Sequence, residues 1–217
     1  MEVTLNYASV LAGIPSGITV LAVSKNQSIE KIKALYEAGQ RDFGENKVQE
    51  LVDKQRELPL DIRWHLIGLL QTNKVKYIAP FVHLIQSVDS LHLIAEINKQ
   101  GMKTKRIIDC LLQVYIANEN TKFGLDENEI VQLFCDDKLK EYSHVRVIGM
   151  MGMASNTKNE EQVLLEFGKL YQLYMRFKTT TETQFSVLSM GMSGDYLLGI
   201  QSGSTMVRLG SILFGER

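Results

Sequence analysis

Ile18-Thr19-Val20-Leu21-Ala22-Val23 is a run of six residues without a charge, and Lys25 follows it after Ser24. A strand with water on one face alternates apolar and polar side chains, whereas a strand covered on both faces reads as a near-continuous apolar run. Beyond the turn, Ile29, Ile32 and Tyr36 recur at helical spacing, with Ser28 placed to cap the helix and Gly39 to end it. This stretch reads as a buried β-strand followed by an amphipathic α-helix.

The rest of the chain repeats that unit. Short strands are expected at 42–44, 62–67, 82–88, 107–116, 145–150, 185–188 and 205–209. Between them fall a polar helix with Val48, Leu51 and Val52 on one face, and helices at 73–81, 90–100, 126–135 and 160–177. A last one opens at Ser193 or Asp195 and ends near Gly203. Alternation of this kind implies parallel strands, because parallel neighbours need crossover connections. About eight repeats predict an α/β fold closed as a (β/α)₈ TIM barrel. An open doubly wound sheet is the rival, but its first turn should be glycine-rich, and here it reads Ser24-Lys25-Asn26-Gln27. Pro15, Pro59 and Pro80 lie between elements and no linker composition appears, so residues 1–217 are expected to form a single domain.

Composition narrows the function. A 217-residue chain that is 45% hydrophobic and 23% charged suits one globular domain. A formal net charge of -1 supplies no general attraction to nucleic acid or an anionic membrane, and neither is expected as a partner. The basic spot Lys103, Lys105, Arg106 reads as a solvated loop. The two cysteines, Cys110 and Cys135, form no CxxC pair, the first residues lack a secretory pattern, and a cytoplasmic location is expected. The four histidines show no metal-ligand spacing, so no metal is expected.

In a TIM barrel the active face lies at the C-terminal strand ends. The first strand ends at Lys25, which either begins a solvated loop or sits in a partly apolar mouth. There, loss of solvation would favour the neutral amine that attacks an aldehyde. The second ends in Phe43-Gly44-Glu45-Asn46, where Asn46 offers a neutral hydrogen bond, unless Glu45 or Asn46 caps the next helix. In Trp64-His65-Leu66-Ile67-Gly68, alternation puts His65 and Ile67 on one face. The seventh strand runs into Ser189-Met190-Gly191-Met192-Ser193-Gly194 and the eighth into Arg208-Leu209-Gly210-Ser211. Loops after these two strands commonly bind phosphate, and small residues let backbone N–H groups approach an anion. Gly203-Ser204-Thr205 precedes the last strand, so it reads as a structural turn at the opposite face.

The combination resembles the YggS/PROSC family of pyridoxal phosphate homeostasis proteins. It is carried by Ala22-Val23-Ser24-Lys25, Phe43-Gly44-Glu45-Asn46 with Val48-Gln49-Glu50, Trp64 to Lys74, Ser87-Val88-Asp89, Leu188 to Ser193 and Gly203 to Ser211, nearly the whole chain. The resemblance implies an alanine-racemase-like barrel and pyridoxal 5'-phosphate held covalently as a Schiff base on Lys25. It places the phosphate between Ser189–Met192 and Gly210-Ser211, Arg208 at the pyridine nitrogen, and Asn46 and His65 near the ring. Apo-enzymes that use the cofactor are the implied recipients. The leading helix is expected to be reduced. Ser211 stands where a threonine is common, and Glu119 to Gly124 fits the family's Glu-x-x-Lys-x-Gly pattern with Phe123 in place of a small residue; Lys122 reads as a solvated loop lysine.

Binding is favoured over turnover. An always-charged arginine beside the pyridine nitrogen disfavours its protonation and makes the ring a poorer electron sink. Racemisation also needs an acid and a base on opposite faces of the substrate. The racemases take the second group from an additional C-terminal domain, which is not expected in a chain ending at Arg217. Nothing in the sequence nominates a replacement, and Tyr115 and Lys122 are left open. A racemase or amino-acid lyase is the alternative, and a sugar-phosphate isomerase or aldolase is a third reading. A monomer is expected, with a weak dimer as the alternative.

Overall fold

A computed structural model describes residues 2–117, 124–135, 138–179 and 185–215. The segment around Lys122, from Asn118 to Phe123, lies outside the described residues. Eight strands hydrogen-bond in chain order and close into a barrel: β1 (Thr19–Val23), β2 (Asp42–Glu45), β3 (Arg63–Leu66), β4 (Leu84–Val88), β5 (Ile108–Val114), β6 (Val145–Gly152), β7 (Val187–Met192) and β8 (Met206–Leu209). Every pair is parallel, and β1 pairs with β8 in the register Leu21 to Arg208, which shuts the ring.

The helices are α1 (Glu2–Ala12), α2 (Ile29–Glu37), α3 (Val48–Glu57), α4 (Val75–Ile78), α5 (Leu91–Thr104), α6 (Glu127–Cys135), α7 (Glu160–Lys178), α8 (Tyr196–Gln201) and α9 (Ser211–Phe214). Ser28, Ser90 and Asn159 accept from the backbone N–H three residues on, as helix-capping side chains do. None of the described helices is long and apolar enough to cross a membrane. The leading helix, expected to be reduced, forms 11 residues and packs on α9 and α2. Tyr7 ties it to the barrel by donating to Gln40, whose amide donates to the carbonyls of Val20 and Asp42.

Two apolar shells result from strand alternation. Leu21, Leu84, Leu111, Met151 and Met206 fill the barrel interior, while Phe43, Trp64, Ile85, Phe167 and Leu188 belong to the larger layer between strands and helices. Burying such side chains contributes about 1.5–3 kcal/mol each.

Three sequence expectations change. Helix α5 continues past Gln100 to Thr104 because Gly101 does not stop it; a Cβ there would meet the carbonyl oxygens of Arg106 and His144 at 2.9 Å, so the glycine serves close packing. The basic spot is not a solvated loop throughout, since Arg106 donates to the carbonyls of Ala79 and Val82 just beyond α4. Strand β7 runs on to Met192, so Ser189, Met190 and Gly191 are strand residues rather than loop. Pairing with β8 extends it, from Ser189 opposite Met206 to Met192 opposite Arg208, with a register shift between.

Candidate functional site

The C-terminal strand ends open into a cavity of about 770 Å³, within the range typical of small-molecule sites. Of the residues singled out in the sequence, Lys25, Asn46, Met192, Arg208, Gly210 and Ser211 line it. Ser193 and Gly194 join them, as do Ile67 and Gln113, which the sequence reading did not nominate. The loops after β7 and β8 meet here, where the Gly210 N–H donates to Ser193 Oγ at 3.1 Å. A tight turn holds the first of them, since Asp195 Oδ1 accepts from the Met192 N–H and its own N–H donates to the Met192 carbonyl.

Lys25 is half-buried at the rim, and the turn bearing it is clamped from behind. Asn26 adopts φ 59, and its N–H donates to Glu50 at 2.6 Å. Ser24 Oγ donates to Glu45 Oε1 at 2.6 Å. Lys54, from α3, donates to the Ser24 carbonyl, Glu45 and Glu50 at 2.7, 2.8 and 2.7 Å. Glu45 is fully buried, and its second oxygen has no hydrogen-bond partner among the described residues. Burial pushes its carboxyl up to about 7, against the pull of Lys54 and Ser24. Burial also works against the charge of Glu50, but Lys54 and the Asn26 N–H outweigh it and hold that carboxyl below its ordinary value. Glu45 therefore faces the helices, and neither it nor Asn46 caps α3; Lys47 takes that position without a side-chain bond. Asn46 is left to face the cavity. Gly68 packs directly against it, for a Cβ on Gly68 would lie 2.3 Å from the Asn46 carbonyl oxygen. Ser87 steadies the same glycine by donating to its carbonyl at 2.6 Å.

Arg208 is 3% exposed and points from β8 into the barrel. Its Nη1 donates to the Ser189 carbonyl and hydroxyl, both at 2.8 Å, and Nη2 donates to the Gly152 carbonyl at 3.0 Å. Among the described residues no carboxylate pairs with it, and burial lowers its pKa to about 10. A guanidinium has five N–H donors, so Nε and Nη2 keep capacity for an occupant of the mouth.

The remaining nominated residues lie elsewhere. Met190 packs into the layer between sheet and helices. Gly191 adopts φ +93 where β7 meets α8, and a Cβ on it would come 2.9 Å from the Tyr196 Cα. Ser189 is fully buried beneath Arg208. His65 shares its face with Ile67, as alternation requires, but sits a layer below the mouth, between Asp42 and Gln86. Asp42, His65 and His83 each bring one ligand atom within 4.8 Å of the others, yet Arg63 already grips both oxygens of Asp42. Gly203-Ser204-Thr205 is a structural turn, in which Ser204 Oγ lies within bonding distance of the carbonyls of Leu188, Met190 and Met206.

The site thus combines one amine, two small-residue loops joined at their tips, and one buried guanidinium, all at the mouth of a closed parallel barrel. The family model of the alanine racemase N-terminal domain matches residues 3–217. The alanine racemase of Clostridium difficile superposes with a TM-score of 0.85 at 15% identity, covering all of this chain and 57% of that one, a likeness of fold. The chain belongs to this family, within the group of pyridoxal phosphate homeostasis proteins. The protein of that name from Aquifex aeolicus is 39% identical over 199 residues, 91% of this chain and 86% of that protein. PipY of Synechococcus elongatus superposes with a TM-score of 0.93 at 32% identity in its structure without PLP, covering 99% of this chain and all of that one. Its structure with PLP bound superposes at 0.89 and 30% identity.

Proposed function

We propose that this protein binds pyridoxal 5'-phosphate at the barrel mouth, held by a Schiff base to Lys25 Nζ, and serves the intracellular homeostasis of that cofactor. The observation that carries the reading is the meeting of Lys25 with the Ser193-Gly194 and Gly210-Ser211 loops across one cavity. Pyridoxal phosphate supplies an aldehyde, which condenses with an amine and releases water, and a phosphate that needs several donors. The residues present suit both ends. Lys25 offers the amine, held by a turn anchored through Lys54, Glu45 and Glu50. The backbone and hydroxyls of Ser193, Gly194, Gly210 and Ser211 can surround an anion without steric hindrance. Of the four residues assigned to the phosphate from β7, only Met192 borders this cavity. Ser189, Met190 and Gly191 contribute by setting the course of the strand that delivers Ser193.

Arg208 faces the ring nitrogen, and Asn46 lies alongside the ring. His65 acts from below, through other side chains. The binding of PLP by PipY and the name shared by the curated relatives support the reading that the cofactor is pyridoxal phosphate and the role its homeostasis. The function proposed is to hold and supply the cofactor rather than to turn over substrate. Its recipients are apo-enzymes in the same compartment, which we take to be the cytoplasm. A guanidinium at the ring nitrogen favours that choice, because it works against the protonated ring that stabilises a carbanion.

The test is borohydride reduction of the cofactor-loaded protein followed by peptide mass mapping. A reduced adduct on the Lys25 peptide, absent in a folded Lys25→Ala variant, is expected. An adduct mapped to another lysine would refute the assignment. In the same preparation, α-proton exchange of D- or L-amino acids in deuterated water at enzyme-like rates would overturn the non-catalytic reading.

A further inference from the structure

A track of polar side chains crosses the apolar interior of this barrel. Arg208 Nη1 donates to Ser189 Oγ at 2.8 Å, and Ser189 Oγ donates to Gln86 Oε1 at 2.7 Å. Gln86 Nε2 lies 3.0 Å from His65 Nδ1, and His65 Nε2 lies 3.2 Å from Asp42 Oδ1. Arg63 closes the far end with two bonds to Asp42. The track joins five strands, β8, β7, β4, β3 and β2, and connects the mouth to the opposite end of the barrel. Its apolar surroundings are Leu21, Leu84, Leu111, Met151 and Met206.

The two ends dictate the direction of every bond. A guanidinium only donates and a carboxylate only accepts. Ser189 Oγ accepts from Arg208, so its single proton goes to Gln86 Oε1. That orients the amide, placing Gln86 Nε2–H on His65 Nδ1. The imidazole must then carry its proton on Nε2, facing Asp42. Arg63 and His65 keep Asp42 ionised despite its burial. All the dipoles run one way, from a cation to an anion, an arrangement in which successive bonds strengthen one another. A break anywhere leaves a buried polar group unsatisfied, whereas apolar side chains would have filled the same space without that risk.

What the track holds at its upper end is Arg208, which pairs with no carboxylate among the described residues and has donors left over for the cavity. We propose that Gln86, oriented by His65 and Asp42, is a positioning residue that fixes Arg208 for the bound cofactor through Ser189. This rests on the reading that Arg208 faces the ring nitrogen. It assigns roles to Gln86 and to the buried His65 without requiring either to touch the ligand.

Gln86→Met keeps most of the side-chain volume while removing both links. The protein loaded with pyridoxal phosphate is compared with this variant, and with Ser189→Ala, His65→Leu and Arg208→Ala, by absorption spectrum and by cofactor titration. Leu111→Ala serves as an apolar control from the same interior. Loss of one charge-assisted hydrogen bond's orientation should weaken cofactor binding about tenfold in Gln86→Met. The absorption band should move in the direction seen for Arg208→Ala, and by less in His65→Leu. Leu111→Ala should lower thermal stability and leave the band in place. Should Gln86→Met fail to fold, Ser189→Ala breaks the same track with a smaller change and carries the same expectation. A band moved by Arg208→Ala but by none of the other three track variants overturns the proposal alone. A band unmoved by Arg208→Ala refutes the placement of the guanidinium at the ring, and the proposal with it.

Discussion

Replacing Lys54 with methionine tests the clamp behind Lys25. Lys54 is 6% exposed, and its ammonium serves three acceptors: the Ser24 carbonyl, Glu45 and Glu50. Methionine fills much of the space but supplies no donor. Removing one partner of a buried ion pair costs about 3–5 kcal/mol, because the other charge is left uncompensated. The loss should depend on pH. The Glu45 carboxyl stands at about 7 in the folded protein, above its ordinary 4.5. A raised value favours the folded state fully below about 4.5, and that contribution disappears as pH rises through about 7. The difference corresponds to roughly 3 kcal/mol. Without Lys54 the Glu45 value climbs further, so the folded variant keeps its proton at pH values where the wild type has released it. Urea unfolding should therefore show a larger deficit for Lys54→Met at pH 9 than at pH 6. A deficit of 3–5 kcal/mol would lower Tm by about 6–20 °C in a chain of this size. Adding Glu45→Gln removes the stranded acid, and the double variant should recover most of the pH 9 deficit. Equal deficits at both pH values, or a double variant no better than the single one, would refute the argument that Lys54 compensates a buried Glu45.

Two further outcomes follow from the geometry. Gly68→Ala puts a Cβ 2.3 Å from the Asn46 carbonyl oxygen, so the backbone must part there; cofactor affinity measured by titration should fall at least tenfold while far-UV circular dichroism stays that of the barrel. Asp42→Asn removes the carboxylate gripped by Arg63 and His65, whose pKa lies well below its ordinary 3.8. That contribution is present above about pH 3.8 and fades as pH falls toward the folded value, so the variant should be less stable than wild type by about 2–4 kcal/mol at pH 7, with the gap narrowing in acid unfolding titrations.

Much of the architecture was legible in the chain. The Ile18–Val23 run, the Ser28 cap and Gly39, which adopts φ +104, each report a local requirement of strand or helix, and repetition of the unit implies the closed parallel ring. Lys25, Asn46, Arg208, Gly210 and Ser211 could be nominated because strand ends can be read from apolar runs, and in this fold strand ends form the mouth. Gln86 left a trace that was readable too, one amide in the apolar run Leu84-Ile85-Gln86-Ser87-Val88, although nothing local said what it bonds.

Other features depend on neighbours distant in the chain. Strand β7 extends to Met192 because β8 is there to pair with it, and that alone turned Ser189 from a loop donor into a buried link beneath Arg208. The clamp of Lys54, Glu45 and Glu50 on the Lys25 turn, and the track from Arg208 to Asp42, join residues from several strands and helices. Strand and helix preferences arise from each residue's own backbone and near neighbours, so a linear pattern records them. The partner of a buried charge is chosen by which elements closure of the barrel brings together, and that is decided only in three dimensions.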